Sequence, residues 1–192
     1  MSVLVIACGA LAREIKELQR INGWQHVVLD CLPAKLHNTP EEIPGAMRAK
    51  LEAEKEKYDE IFVAYGDCGT GGMLDVVLKE YGVERLPGAH CYEFFSGPER
   101  FAEIAEAELG TFYLTDFLVR HFDSLVFRGL GLDRNPQLLS TYFGNYRRLV
   151  YLAQVKSEEL EARARECAQR LGLDYDYHYT GLGELQATLQ VA

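Results

Sequence analysis

Short apolar runs recur along the chain, and most are followed by a stretch whose apolar positions are spaced three or four apart. Val3–Ala7 (VLVIA) has no polar position and reads as a strand buried on both faces. In Ala10–Ile21, Leu11, Ile15 and Leu18 fall on one helical face. His26–Cys31 (HVVLDC) reads as a second strand. Thr39-Pro40-Glu41-Glu42 carries a helix-start signature, with Thr as N-cap and Pro in the first position. The charged helix that follows runs to about Lys57 and places Met47 and Leu51 inward. Glu60–Tyr65 is the next strand. Gly66–Gly72 is a loop, Met73–Tyr81 a short helix, and Val83–Leu86 a short strand.

The second half repeats the alternation. A helix is expected at about Pro98–Glu108, a strand at Phe112–Thr115 and a helix over Asp116–Val126. Pro136–Tyr146 reads as helical and Leu149–Ala153 as a strand. A helix capped by Ser157 runs to Leu171, and Tyr175–Tyr179 is the last strand. Strands alternating with helices predict an α/β fold with a largely parallel sheet flanked by helices. Strand–Gly–helix recurs near residues 3, 60 and 111, which is compatible with stacked α/β modules. No linker composition interrupts the 192 residues, so a single domain over 1–192 is expected.

Parallel strands deliver their carboxyl ends to one crevice, where ligands bind. Three of the five cysteines lie just past such apolar runs: Cys8 after VLVIA, Cys68 after EIFVAYGD and Cys91 after VERLPGAH. Thiolates are soft ligands, and three of them suit a [4Fe–4S] cluster with one open iron or a zinc with an open fourth position. Cys8, Cys68 and Cys91 are therefore the expected metal ligands. Each cysteine taken singly is as well explained by core packing. Cys167 has helical spacing with Leu160, Ala164 and Leu171 and is expected in the core. Cys31, His37 and His90 are left as alternatives for completing the site.

The segment Tyr65-Gly66-Asp67-Cys68-Gly69-Thr70-Gly71-Gly72 holds four glycines in eight residues. Between strand and helix such a loop can form an anion-binding nest, although it matches neither the P-loop nor the dinucleotide fingerprint. Gly66, Gly69, Thr70, Gly71 and Gly72 are its candidate substrate-binding residues. Asp67, His90 and Asp116 are the candidate catalytic groups beside the thiols. Thr115 and Arg120 are further candidates for binding substrate, with helix capping the plain alternative for Thr115-Asp116.

The net charge of -9 and pI near 5.1 argue against nucleic-acid and anionic-membrane partners. No apolar run approaches the ~20 residues of a membrane helix, and the N-terminus lacks the pattern of a signal peptide. A cytoplasmic location is expected, where cysteines stay reduced unless they ligate or react.

The blocks ACGAL, LHN-P-IP, YGDCGTGG, PGAHCYEFF, GTFYLTDFLVRHFD, GLGLDR-P, YFGNYRRLVYLAQ and TGLGEL resemble the bacterial and archaeal domain-of-unknown-function family 1638 over nearly the whole chain. That resemblance implies a genomic setting beside trimethylamine-type methyltransferases and corrinoid proteins. It thereby implies one-carbon or corrinoid metabolism, with a corrinoid protein or methyltransferase as partner and corrinoid reached only through it. It transfers no catalytic residue. The three-cysteine arrangement is also similar in outline to quinolinate synthase. Three readings follow: a metal or iron–sulfur protein acting on a small molecule, an accessory protein for corrinoid-dependent methyl transfer, and a non-catalytic binding domain with core cysteines. An oligomer is compatible with each.

Overall fold

The computed structural model describes residues 2–189. The fold is α/β, built as two compact units that each carry a three-stranded parallel sheet flanked by helices. Among the described residues, the first unit comprises those up to Cys91 together with those from Leu185 to Leu189, and the second comprises Tyr92–Glu184.

In the first unit, β1 (Val3–Cys8) lies between β2 (Val27–Leu32) and β3 (Glu60–Ala64). Its pairing runs Val3↔Val27 to Cys8↔Leu32 on one side and Val3↔Glu60 to Ala7↔Ala64 on the other. All six residues of β1 are buried, because a central parallel strand is covered on both faces. This is the physical reason for the unbroken apolar run that ends at Cys8. Helix α1 (Ala12–Asn22) follows β1, buries Ile15 and Leu18, and ends at Gly23 in the left-handed conformation. Helix α2 (Ile43–Glu54) buries Ile43, Met47 and Leu51, and α3 (Met73–Tyr81) buries Leu74, Val77 and Leu78.

The second unit contains α4 (Tyr92–Ser96), α5 (Pro98–Ala107), β4 (Thr111–Thr115), α6 (Asp116–Phe122), α7 (Leu138–Phe143), β5 (Arg148–Ala153), α8 (Glu158–Leu171) and β6 (Asp174–Tyr179). Here β5 is central between β4 and β6. Ser157 caps α8, its hydroxyl accepting from the Leu160 amide at 3.3 Å, as its place before the helix leads one to expect. Cys167 is buried with Leu160, Ala164 and Leu171, as expected of a core cysteine. The last helix, α9 (Leu185–Thr188), belongs with the first unit.

Three local expectations change. Val83–Leu86 forms no strand; only Arg85 pairs, in a bridge to Val63. The helix expected to start at Thr39 begins at Ile43, after a single tight turn over Pro40–Glu42. The Thr39 hydroxyl bonds the Glu42 carboxylate at 3.3 Å rather than a helix amide. The helix expected over Asp116–Val126 ends at Phe122 and continues as a wider turn over Asp123–Phe127. Among the described residues, no helix is long and apolar enough to cross a membrane.

Candidate functional site

The first unit gathers Cys8, Cys68, Cys91, His37 and Tyr65 around the carboxyl ends of β1 and β3. Cys8 is the last residue of β1 and is 1% exposed. Its sulfur caps the next turn by accepting the Ala10 amide at 3.3 Å. His37 sits in the short turn Ala34–Asn38 that follows β2, with Nδ1 3.7 Å and Nε2 4.0 Å from that sulfur. Nδ1 also lies 3.1 Å from the Ala34 carbonyl oxygen. One side of the His37 residue remains open to solvent.

Cys68 is the one described non-glycine residue with positive φ, at 51°. A side chain there costs about 1–2 kcal/mol, so surrounding contacts must hold the loop in place. Two of them are backbone bonds, Asp67 N–H to the Gly88 carbonyl (3.1 Å) and Cys68 N–H to the Ala89 carbonyl (2.8 Å). Gly66 allows this close approach. A Cβ on it would lie 3.1–3.2 Å from the backbone of His90, so a larger residue would push the 88–91 segment away. The expected substrate-binding glycine is thus a packing residue that brings Cys91 alongside Cys68.

The thiols and the imidazole are coupled. A hydrogen bond from Cys91 lowers the pKa of Cys68 to about 5, against burial and with help from His37. The same contact, reinforced by burial, raises Cys91 well above an ordinary thiol. Burial opposes a charge on His37, but hydrogen bonds to Cys68 and Cys8 outweigh it and raise its pKa. The two shifts together favour a thiolate at Cys68 beside a protonated His37. A thiol pKa lowered on folding adds stability present above its unfolded value and lost as pH falls through about 5. An imidazole pKa raised on folding adds stability present below its ordinary 6.5 and lost as pH climbs through the raised value. The held proton on Cys91 adds to the alkaline loss. Between the two unfolded values, about 6.5 and 9, the pair binds one proton in either state. Urea titrations in the presence of a chelator should therefore show a plateau over this range and falling stability on both sides. Stability still rising above pH 9 would contradict the pairing.

Tyr65 follows β3 and is 1% exposed, yet its hydroxyl makes no hydrogen bond of ordinary geometry. The ring stacks on His37 at 6.1 Å and 15°. Burial raises its pKa, as do Cys8 and, less strongly, Cys68 and Cys91, which places the hydroxyl beside all three thiols. An orphaned buried hydroxyl costs about 1–3 kcal/mol.

The remaining expected residues divide into two groups. In the glycine loop, Asp67 accepts from the Thr70 hydroxyl (2.6 Å), Gly72 N–H (2.8 Å) and Gly71 N–H (3.1 Å). The Thr70 bond is the main cause of its lowered pKa. The chain's own carboxylate occupies the nest, so a bound anion would have to displace Asp67. Gly69, Gly71 and Gly72 all have positive φ and shape this turn. His90 is exposed and contributes the backbone that packs on Gly66. Cys31 pairs with Ala7, so strand alternation directs it to the face opposite Cys8.

Thr115, Asp116 and Arg120 belong to the second unit. Thr115 caps α6 through the Leu118 amide at 3.4 Å, and Arg120 is exposed in the last turn. Asp116 is 2% exposed and accepts from the Tyr151 hydroxyl (2.6 Å), Gln154 N–H (3.0 Å) and Val155 N–H (3.2 Å). Its own N–H donates to Gln154 Oε1 at 2.8 Å. This carboxylate ties the start of α6 to the residues following β5.

Among the described residues, no group of three or more His, Cys, Asp or Glu side chains is placed so that it could hold a metal ion as it stands. The five cysteines are free thiols. Sequence reasoning gave Tyr65 no role and His37 only a secondary one. The available signal was position: Tyr65 directly precedes the glycine loop, and His37 follows β2 on the same sheet edge as the cysteines.

Fold and site define an α/β protein with a partly buried cluster of thiols and an imidazole at the carboxyl edge of a parallel sheet. Residues 31–189 match the family described as "Protein of unknown function (DUF1638)", and the chain belongs to that family. The matched span contains Cys31, His37, Cys68 and Cys91, whereas Cys8 precedes it. Comparison with curated proteins and with solved structures gave no match.

Proposed function

We propose that the first unit is a binding site for a thiophilic metal, with Cys8, Cys68 and Cys91 as thiolate ligands and His37 as the fourth donor. The observation that supports this is the gathering of three thiols and an imidazole from four separate chain segments at one sheet edge, with His37 Nδ1 3.7 Å from the Cys8 sulfur. Three sulfurs and one nitrogen form a donor set suited to zinc, and thiolates also ligate iron–sulfur clusters. Without metal, the cluster holds one favourable thiolate only by keeping protons on Cys91 and His37. A divalent cation displaces those protons and neutralises the thiolates together. Binding requires the donors to turn toward a common point, and rotation of the His37 ring off Tyr65 is the main adjustment.

Tyr65 supports the site from behind, its hydroxyl donating to a ligand thiolate as supporting groups around metals commonly do. Tyr65→Phe therefore has opposite effects in the two states. Metal-free protein should be unchanged or more stable by about 1 kcal/mol, because an unsatisfied hydroxyl is removed. Metal affinity should fall by about 10-fold or more. Thermal unfolding and competition with a chromogenic chelator read the two effects, and equal affinity in both proteins would remove Tyr65 from the site.

Elemental analysis of protein purified without oxygen tests the proposal as a whole. About one zinc per chain is expected for a mononuclear site of this donor set. A brown protein containing iron and sulfide would assign the same cysteines to a cluster, with His37 or an exogenous ligand on the remaining iron. Metal-free protein that takes up neither on reconstitution would overturn it.

A further inference from the structure

Of the thiols in the cluster, Cys68 and Cys91 are held differently from Cys8. Cys8 is fixed at the end of a central strand, with its sulfur bonded to the Ala10 amide. Cys68 and Cys91 lie on two irregular segments bound side by side through Asp67–Gly88 and Cys68–Ala89, with Gly66 against His90 removing the space between them. Cys91 follows directly on His90, so this packing sets its thiol beside that of Cys68. Cys68 retains 8% exposure, and the flanking Gly69, Gly71 and Gly72 leave its loop free of bulky side chains. Cys31 and Cys167 make no such thiol pair: Cys31 is on the other face of the sheet, and Cys167 is in the core of the second unit.

We infer that Cys68 and Cys91 are a reversible dithiol–disulfide pair, oxidised by low-molecular-weight disulfides when the site is free of metal. The Cys68 thiolate attacks one sulfur of the disulfide RSSR. The S–S bond breaks and RS⁻ leaves with the electron pair, taking up the proton that Cys68 released to become RSH. The Cys91 sulfur then attacks the Cys68 sulfur of the mixed disulfide. The Cys68–Cys91 bond forms, the Cys68–SR bond breaks, and the second RS⁻ leaves with the electron pair and takes up the proton that Cys91 releases. Two protein thiols are oxidised, and RSSR is reduced to two RSH. The disulfide removes two of the donors assigned above, so oxidation and metal occupancy exclude each other. The pairing itself stands on the backbone bonds that hold the Cys68 and Cys91 segments side by side, and only its consequence for metal rests on the proposed function.

The test is to equilibrate chelator-treated full-length protein in glutathione buffers of graded poise, block free thiols by alkylation at low pH and map the peptides by mass spectrometry. The expected result is one Cys68–Cys91 cross-link that appears as the buffer becomes oxidising and disappears with dithiothreitol, while Cys8 and Cys167 stay alkylated. Cys91→Ser should stop at the first step and accumulate Cys68–glutathione. Cys68 and Cys91 both free at every poise, or a cross-link that joins Cys8 instead, would overturn the inference, whether or not the variant folds. Metal content measured on untreated protein separates the two claims. A protein that forms the cross-link but takes up no metal retains the dithiol pair and loses the metal site. One that takes up metal but forms no cross-link does the reverse.

Discussion

Replacing Cys68 by serine is expected to empty the metal site, with affinity reduced by more than the ~10–100-fold that loss of a supporting residue brings. Serine keeps the side-chain size and the loop, and substitutes a hard, protonated hydroxyl for a thiolate. The effect should be large because Cys68 is central to the cluster, hydrogen-bonded to both Cys91 and His37. Elemental analysis after identical anaerobic purification of wild type and variant reads the result. Cys167→Ser supplies the control: it alters a buried cysteine of the second unit and should leave the metal content unchanged. Cys68→Gly separates chemistry from backbone. Glycine relieves the φ of 51°, worth about 1–2 kcal/mol. It loses about 0.5–1 kcal/mol to chain entropy and some buried sulfur contact as well. Metal-free Cys68→Gly should therefore lie within about 1 kcal/mol of wild type and still hold no metal. A Cys68 variant with full metal content would remove this residue from the ligand set.

The largest effect on stability is expected at Asp116. Asp116→Ala removes the acceptor for the Tyr151 hydroxyl and for the amides of Gln154 and Val155, all in a buried setting. Each donor left without a partner costs about 1–3 kcal/mol, and partial relaxation leaves a net loss of about 3–5 kcal/mol. That is a large share of the 5–15 kcal/mol typical of a folded domain. Asp116→Asn should cost less, because one oxygen still accepts while the amide nitrogen faces a donor. Urea denaturation followed by tyrosine fluorescence measures both. Wild-type stability in Asp116→Ala would contradict the structural role and return the residue to the list of functional candidates.

Sequence pattern revealed most where burial alone decides. The apolar run of β1 identified a strand covered on both faces and placed Cys8 at its end. Helical spacing separated Cys167 from the other thiols, and Ser157 marked the start of α8. Pattern was weaker where a distant partner decides. Val83–Leu86 looks like a strand, but only Arg85 finds a sheet partner, and Asp75 holds its guanidinium at 2.5 and 2.9 Å. Thr39 and Pro40 resemble a helix start, yet Pro40 sits in a separate tight turn before Ile43. Asp67 in a glycine-rich loop looked like a ligand-binding group, whereas its carboxylate closes the loop on itself. Nothing local to Tyr65 foretells an unpartnered hydroxyl, because its surroundings come from Cys8, Cys68 and Cys91 together. The division into two sheets was equally hidden, since strand–helix alternation is the same within one sheet or two.

X-ray absorption at the edge of the bound metal tests the central claim most directly, since it counts ligand atoms without requiring an activity. The expected spectrum for zinc has three sulfur scatterers at about 2.3 Å and one nitrogen at about 2.0–2.1 Å. The nitrogen shell should be lost in His37→Ala, and one sulfur should be lost in each of Cys8→Ser and Cys91→Ser. A metal surrounded only by oxygen and nitrogen, or a sulfur count unchanged by those substitutions, would contradict it.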